Sequence, residues 1–126
     1  MILVVEDEPY IASFTEFICG EMGIETDVCS DGNVALALAS STRYRLIVLD
    51  LHVEGVSGLD LISAIRALPD PFGQVKILVA SGESTRAIRK AMVAGADGYI
   101  EKPHAAEPLR QRINEMIAPI APTEDA

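Results

Sequence analysis

Arg45-Leu46-Ile47-Val48-Leu49-Asp50 decides the fold class of this chain. Its four central residues are apolar, show no helical stripe and are bounded by polar residues, so they read as a strand buried on both faces. Hydrogen bonding to neighbours on both sides holds such a strand rigid, so its last side chain sits in a fixed place. Asp50 is therefore mounted at a strand end. Taken alone it is an ordinary turn-forming aspartate. The stretches on either side change that reading.

Upstream, Ile2 to Glu6 is a first buried strand. Pro9 follows where the first turn of a helix tolerates proline, and Ile11, Phe14, Ile18 and Met22 keep helical spacing up to a stop at Gly23. Glu25 to Cys29 is a weaker second strand, Asp31-Gly32 a turn, and an alanine-rich helix runs to about Ser40. Downstream of Asp50 a polar loop, His52 to Gly58, leads to a third helix marked by Leu61, Ile65 and Leu68 and stopped by Pro69-Asp70-Pro71. Val75 to Ala80 is a fourth buried strand. Ile88, Ala91 and Met92 mark a fourth helix, which Gly95 stops. Asp97 to Glu101 is a short fifth strand, and Leu109, Ile113, Met116 and Ile117 mark the last helix. Pro119 and Pro122 break the end, so residues 1–118 read as one domain and 119–126 as a tail or the start of a linker. Strands and helices that alternate in this way imply an α/β domain, a parallel sheet with helices on both faces.

Composition agrees. A length of 126 residues with 49% hydrophobic content suits one domain with a proper core. Lys and Arg total 10 against 19 for Asp and Glu, a net charge of −9. Direct nucleic-acid binding is not expected from such a surface, because it rests on neutralising phosphates; a divalent cation or a basic partner face suits it better. Cys19 and Cys29 are the only cysteines, in apolar surroundings that suit buried thiols. The N-terminal apolar run stops at acids after Val5, so it is no signal peptide, and no apolar stretch approaches ~18 residues. A reducing, cytoplasmic setting without membrane contact is the expectation.

In a parallel sheet all strands end on one edge, where ligands bind. The first strand ends at Glu6 and Asp7, the third at Asp50, the fourth at Ser81 and the fifth at Lys102. Each has a bland explanation alone: a solvated helix start, a turn residue, a surface lysine. Together they put three carboxylates, a hydroxyl and an ammonium in one cleft. Two unit charges ~4 Å apart repel by about 4 kcal/mol at an effective dielectric near 20. A hard cation such as Mg²⁺ relieves that repulsion and commonly bridges to phosphate. A carboxylate beside a metal and a lysine is also a plausible phosphoryl acceptor, with Lys102 and Ser81 stabilising the transferring oxygens.

On these residues the chain resembles the receiver (CheY-like) domain of two-component response regulators over about residues 2–118. The matching pieces are Val-Val-Glu-Asp-Glu at 4–8, Leu-Ile-Val-Leu-Asp at 46–50, Gly58, Ala80-Ser81-Gly82, and Gly95 through Pro103. The resemblance implies a doubly wound, flavodoxin-like (βα)5 fold with strand order 2-1-3-4-5. It implies that Asp50 accepts a phosphoryl group from a phosphohistidine on a sensor histidine kinase or histidine phosphotransfer protein. It further implies that Asp7, Asp50 and the backbone carbonyl of His52 bind Mg²⁺, with Glu6 acting largely through water, and that Lys102 pairs with the phosphoryl oxygens. Ser81 then moves toward the phosphoryl group and lets Tyr99 turn inward. The output face is the fourth helix, fifth strand and fifth helix; some members dimerise through it, and the unphosphorylated form is expected to be a monomer. Such a domain is a signalling switch that catalyses only its own phosphoryl transfer and loss. In the family the peptide at the position of Lys102-Pro103 is usually cis.

The chain departs from the family pattern at several positions. Glu54 stands where proline is common, so the loop after Asp50 is expected to be more mobile and more acidic. Ser81 replaces the commoner threonine and keeps the hydroxyl. The segment from Ser81 to Gly95 is one residue short, and His104 replaces a frequent phenylalanine. His52 and Glu83 lie at positions that tune phosphoryl lifetime. A histidine-based metal site is not expected, since the usual ligand spacings are absent. The alternatives are a receiver-like interaction module that works without phosphorylation and, further off, an aspartyl phosphatase of the haloacid dehalogenase type. The intact set Glu6, Asp7, Asp50, Ser81 and Lys102 argues against the first. The second needs an aspartate where His52 stands. A nucleotide or flavin binder needs a glycine-rich loop after the first strand, which here reads Glu6-Asp7-Glu8-Pro9.

Overall fold

The apolar runs form five parallel strands: β1 (Ile2–Val5), β2 (Thr26–Cys29), β3 (Leu46–Leu49), β4 (Lys76–Ser81) and β5 (Gly98–Glu101). The helices between and after them are α1 (Pro9–Glu21), α2 (Gly32–Ser41), α3 (Gly58–Arg66), α4 (Thr85–Ala94) and α5 (Ala106–Ile117). The structure is a computed structural model and describes residues 1–102 and 105–118. The expected cis peptide at Pro103, the substitution at His104 and the tail from Pro119 lie outside the described residues.

The strand order is β2-β1-β3-β4-β5, as the family resemblance implies, and all pairs are parallel, as the alternating pattern predicts. In-register pairing fixes which side chains share a face. Leu3, Val5, Ile47, Leu49, Ile77 and Val79 pack with Ala35, Ala39, Leu61, Ile62, Ile65 and Ala91 from α2, α3 and α4. Their neighbours Ile2, Val4, Leu46, Val48, Leu78 and Ala80 pack with Ile18 and Cys19 of α1 and Leu109 and Ile113 of α5. Strands covered on both sides cannot alternate apolar with polar, which is why β1, β3 and most of β4 read as unbroken apolar runs. All four β3 side chains are buried, and each contributes about 1.5–3 kcal/mol. Burial also pushes the Cys19 thiol up to about 11, which keeps it protonated and inert.

Helix starts follow local chemistry. Pro9 occupies the first turn of α1. Ser57 and Ser84 cap α3 and α4, accepting from the N–H groups of Asp60 and Ala87. Asp31-Gly32, read above as a turn, is instead the start of α2: Asp31 Oδ1 accepts from Asn33 N–H at 2.7 Å and Val34 N–H at 3.2 Å. The one-residue shortening after Ser81 leaves α4 intact at Thr85–Ala94.

At the edge opposite Asp50, Arg66 ties three segments together. Its guanidinium donates to the carbonyls of Gly95 (2.9 Å), Gly73 (2.9 Å) and Val75 (2.6 Å) and to Asp97 Oδ2 (2.8 Å). Asp97 Oδ2 also accepts from Ile77 N–H at 2.9 Å. Gly95 has φ +128°, and a Cβ there would lie 2.8 Å from Arg66 Cγ, so the close approach requires glycine. No helix among the described residues is long and apolar enough to cross a membrane.

Candidate functional site at the carboxyl edge of the sheet

The register of β1 and β3 brings the acids together. Val5 pairs with Leu49, and Asp50 N–H donates to the Val5 carbonyl at 3.0 Å, so the residues that leave the two strands, Glu6 and Asp50, emerge side by side. Glu6, Asp7 and Asp50 each offer a carboxylate oxygen within 4.8 Å of the others. Glu6 and Asp50 are buried, 6% and 7% exposed, while Asp7 lies toward solvent. Among the described residues, no other three His, Cys, Asp or Glu side chains lie close enough to share an ion. Three oxygen donors with an open side suit a hard divalent cation that keeps its own waters, and the set holds neither the thiolate nor the imidazole of a transition-metal site.

Lys102 reaches in from the end of β5. Its ammonium is 2.5 Å from Glu6 Oε1 and 3.3 Å from Asp50 Oδ2. Burial pushes the Glu6 carboxyl up to about 7, Lys102 opposes that rise, and the Asp50 charge adds to it. The second oxygen of Glu6 accepts a long contact from Glu8 N–H at 3.4 Å. Asp50 is held from both sides, because Oδ1 accepts from His52 N–H at 3.1 Å while Oδ2 faces Lys102.

Ser81, fully buried at the end of β4, accepts from Glu83 N–H at 3.1 Å. Its rung partner on β5 is Glu101, and Lys102 N–H donates to the Ser81 carbonyl at 3.0 Å. Tyr99 lies two rungs back on the same strand pair and is 42% exposed, so its ring is turned outward. The sheet thus gathers Glu6, Asp7, Asp50, Ser81 and Lys102 at one edge and sets Tyr99 outside the cluster. His52 contributes its backbone at the cluster while its side chain is exposed.

Three features escaped the sequence reading: the Glu6–Lys102 pair, the His52 N–H on Asp50, and the anchoring of the loop that follows. That loop is anchored to the start of α2. Asp31 and Glu54 form a parallel β-bridge, and Gly32 N–H donates to the Glu54 carbonyl at 2.7 Å.

Known proteins share this architecture. The response regulator receiver domain family model matches residues 2–114. The chain is 36% identical over 116 residues to the two-component response regulator PhoP of Pseudomonas aeruginosa, covering 92% of this chain and 51% of that protein. It is 29% identical over 118 residues to the chemotaxis protein CheY of the same organism, covering 92% of this chain and 94% of that one. It therefore spans about half the length of PhoP and most of CheY. Among solved structures, a sensor histidine kinase receiver domain from Pseudomonas aeruginosa, with a magnesium ion coordinated in its active site cleft, superposes with a TM-score of 0.86 at 25% identity, covering 94% of this chain and 97% of that one. The chemotaxis response regulator CheY4 of Vibrio cholerae gives 0.84 at 25% identity, with 91% and 96% covered. With the strand order, the edge cluster and a family match over nearly all of its length in agreement, this chain belongs to the response regulator receiver domain family of signalling switches.

Proposed function

We propose that Asp50 is the phosphoacceptor of this domain, taking a phosphoryl group from a phosphohistidine on a sensor histidine kinase or histidine phosphotransfer protein. The observation that carries this reading is the way Asp50 is held. One carboxylate oxygen is fixed by the His52 N–H and the other faces an ammonium, at the sheet edge where ligands of such folds bind. In the transfer, an Asp50 oxygen forms a bond to phosphorus as the bond from phosphorus to the imidazole nitrogen breaks, and the electron pair stays with the imidazole. Lys102 neutralises charge on the phosphoryl oxygens, and Ser81 donates its hydroxyl proton to one of them. Residues Glu6, Asp7 and Asp50, with the His52 carbonyl, would hold Mg²⁺, which when bound offsets charge on the carboxylates and on the phosphoryl group. Lys102 is paired with Glu6, so to hold a phosphoryl group it exchanges one anion for another.

The same exchange supplies a switch. A phosphoryl group at Asp50 adds acceptor oxygens beside Ser81. Ser81 moves toward them, and Tyr99 turns from its outward position into the space that movement opens. Two arrangements that differ by a few kcal/mol are enough for this shift. The face that reports it is α4, β5 and α5, where Met92, Val93 and Tyr99 are exposed. Downstream partners dock there, and any homodimer would use the same face. The chain acts as a switch, catalysing only its own phosphoryl gain and loss.

Intact-mass analysis after incubation with acetyl phosphate and Mg²⁺ tests the proposal. One added phosphoryl group, absent in Asp50→Asn and absent without Mg²⁺, is the expected result. Labelling that persists in Asp50→Asn moves the acceptor elsewhere. No labelling from acetyl phosphate or from a phosphorylated histidine protein leaves a phosphorylation-independent interaction module.

A further inference from the structure

The loop from Leu51 to Gly58 is anchored at three points. At its ends, Gly58 N–H donates to the Leu51 carbonyl at 3.1 Å, and a Cβ on Gly58 would lie 2.4 Å from Leu51 Cα. In its middle, the Glu54 carbonyl accepts from Gly32 N–H at 2.7 Å within the Asp31–Glu54 bridge. Beside that bridge, Gly55 adopts φ +87°, and a Cβ there would lie 2.9 Å from both Asp31 carboxylate oxygens and 2.9 Å from Asn33 Nδ2. The Asp31 carboxylate is itself held by the Asn33 and Val34 N–H groups. The result is a latch between the β2–α2 junction and the loop that carries His52.

We propose that Asp31 and Gly55 are positioning residues for Asp50, acting through the His52 backbone that the latched loop holds in place. The inference rests on the phosphoacceptor reading above. The connection runs from the β2–α2 junction to the loop, and along the loop backbone to Asp50. The Gly32 N–H and the Asp31–Glu54 bridge hold Glu54, the Asp31 carboxylate stands where a Cβ on Gly55 would fall, and two residues before Glu54 the His52 N–H orients Asp50 Oδ1 while Oδ2 faces Lys102. Transfer to a carboxylate depends on the direction of the attacking oxygen, and a displacement of about 1 Å made far from the chemistry can cost up to ~100-fold in rate. Neither Asp31 nor Gly55 touches the cluster, so both act by geometry alone.

The test compares Asp31→Ala, Gly55→Ala and Asp31→Asn with wild type, and with Gly95→Ala as a control. Gly95→Ala strains a glycine at the opposite edge, against Arg66. Two readouts are taken: the initial rate of phosphoryl gain at saturating Mg²⁺ and acetyl phosphate, and hydrogen exchange at the His52 amide. Asp31→Ala and Gly55→Ala are expected to slow the gain on the order of tenfold and to speed exchange at His52. Asp31→Asn keeps a capping oxygen and is expected to restore both. Gly95→Ala is expected to lower melting temperature and leave both readouts unchanged. A wild-type rate in Asp31→Ala and Gly55→Ala overturns the proposal, as does slowing with His52 exchange unchanged or an equal slowing in Gly95→Ala. If one variant does not fold, the other carries the test. If wild type gains no phosphoryl group from any donor, the phosphoacceptor reading fails instead. The exchange readout still judges the latch, which falls if His52 stays protected in the variants.

Discussion

The Nζ of Lys102 lies 2.5 Å from Oε1 of Glu6, closer than the 3.3 Å that separates it from Asp50. The lysine is therefore engaged mainly by Glu6. Burial pushes the Glu6 carboxyl up to about 7 against the opposing pull of Lys102.

That perturbation sets a pH dependence. A folded-state value of about 7 above the ordinary 4.5 means the folded domain binds the proton more tightly than the unfolded chain does. The stability this contributes is full below pH 4.5 and is lost as pH rises to about 7. Melting temperature of the metal-free domain is expected to fall across this window by more in wild type than in Glu6→Gln. An equal slope in the two proteins would contradict the assignment.

Asp7→Asn is expected to stabilise the metal-free domain. Glu6 and Asp50 share one ammonium, and Asp7, the third carboxylate of the cluster, has no contact to it. Removing its charge relieves repulsion worth about 1 kcal/mol toward solvent, or roughly 2–6 °C in melting temperature. Mg²⁺ is expected to stabilise wild type and to do so less in Asp7→Asn. Thermal melts with and without Mg²⁺ decide both.

Arg66→Ala is expected to cost about 2–4 kcal/mol, because three backbone carbonyls and Asp97 lose their donor together. Arg66→Lys cannot span the same fork and is expected to recover little. Urea denaturation measures each, and a loss within 0.5 kcal/mol, about the ordinary surface effect, would show the network to be redundant.

Arg86→Glu is expected to stabilise the domain. Arg86, Arg89 and Lys90 sit on α4 with no acid on that helix and no ion pair among the described residues. Arg86 stands in the first turn, at the positive end of the helix dipole, four residues from Lys90. Reversing it gains about 0.5–1 kcal/mol at low salt, shrinking as salt rises. A lowered melting temperature would show that Arg86 supports the helix instead.

Much of the fold was legible because unbroken apolar runs and helical stripes are local patterns, and the residue that ends each run names the site. Legibility stopped where a contact joins distant backbone. The carbonyls of Gly73, Val75 and Gly95 leave no trace in sequence, so nothing there singles out Arg66. Asp31-Gly32 suits a turn and a helix cap equally, and only the following N–H groups tell them apart. Glu54 was read for the proline it lacks, yet its anchor is a carbonyl that any residue supplies. Glu6 was placed at the site without its Lys102 partner, since the reach of Lys102 depends on how β5 sits, three strands along from β1.

Glu6 and Asp50 stand side by side because β1 and β3 are hydrogen-bonded in register, through groups every residue carries. The position of the cluster is thus independent of what occupies it. Substitution at positions 6, 7, 50 or 81 changes the reagents and leaves the bench standing. The same sheet edge can hold a reactive acceptor, a slow one or an inert one, and variants of this chain can move among those states without passing through an unfolded ancestor.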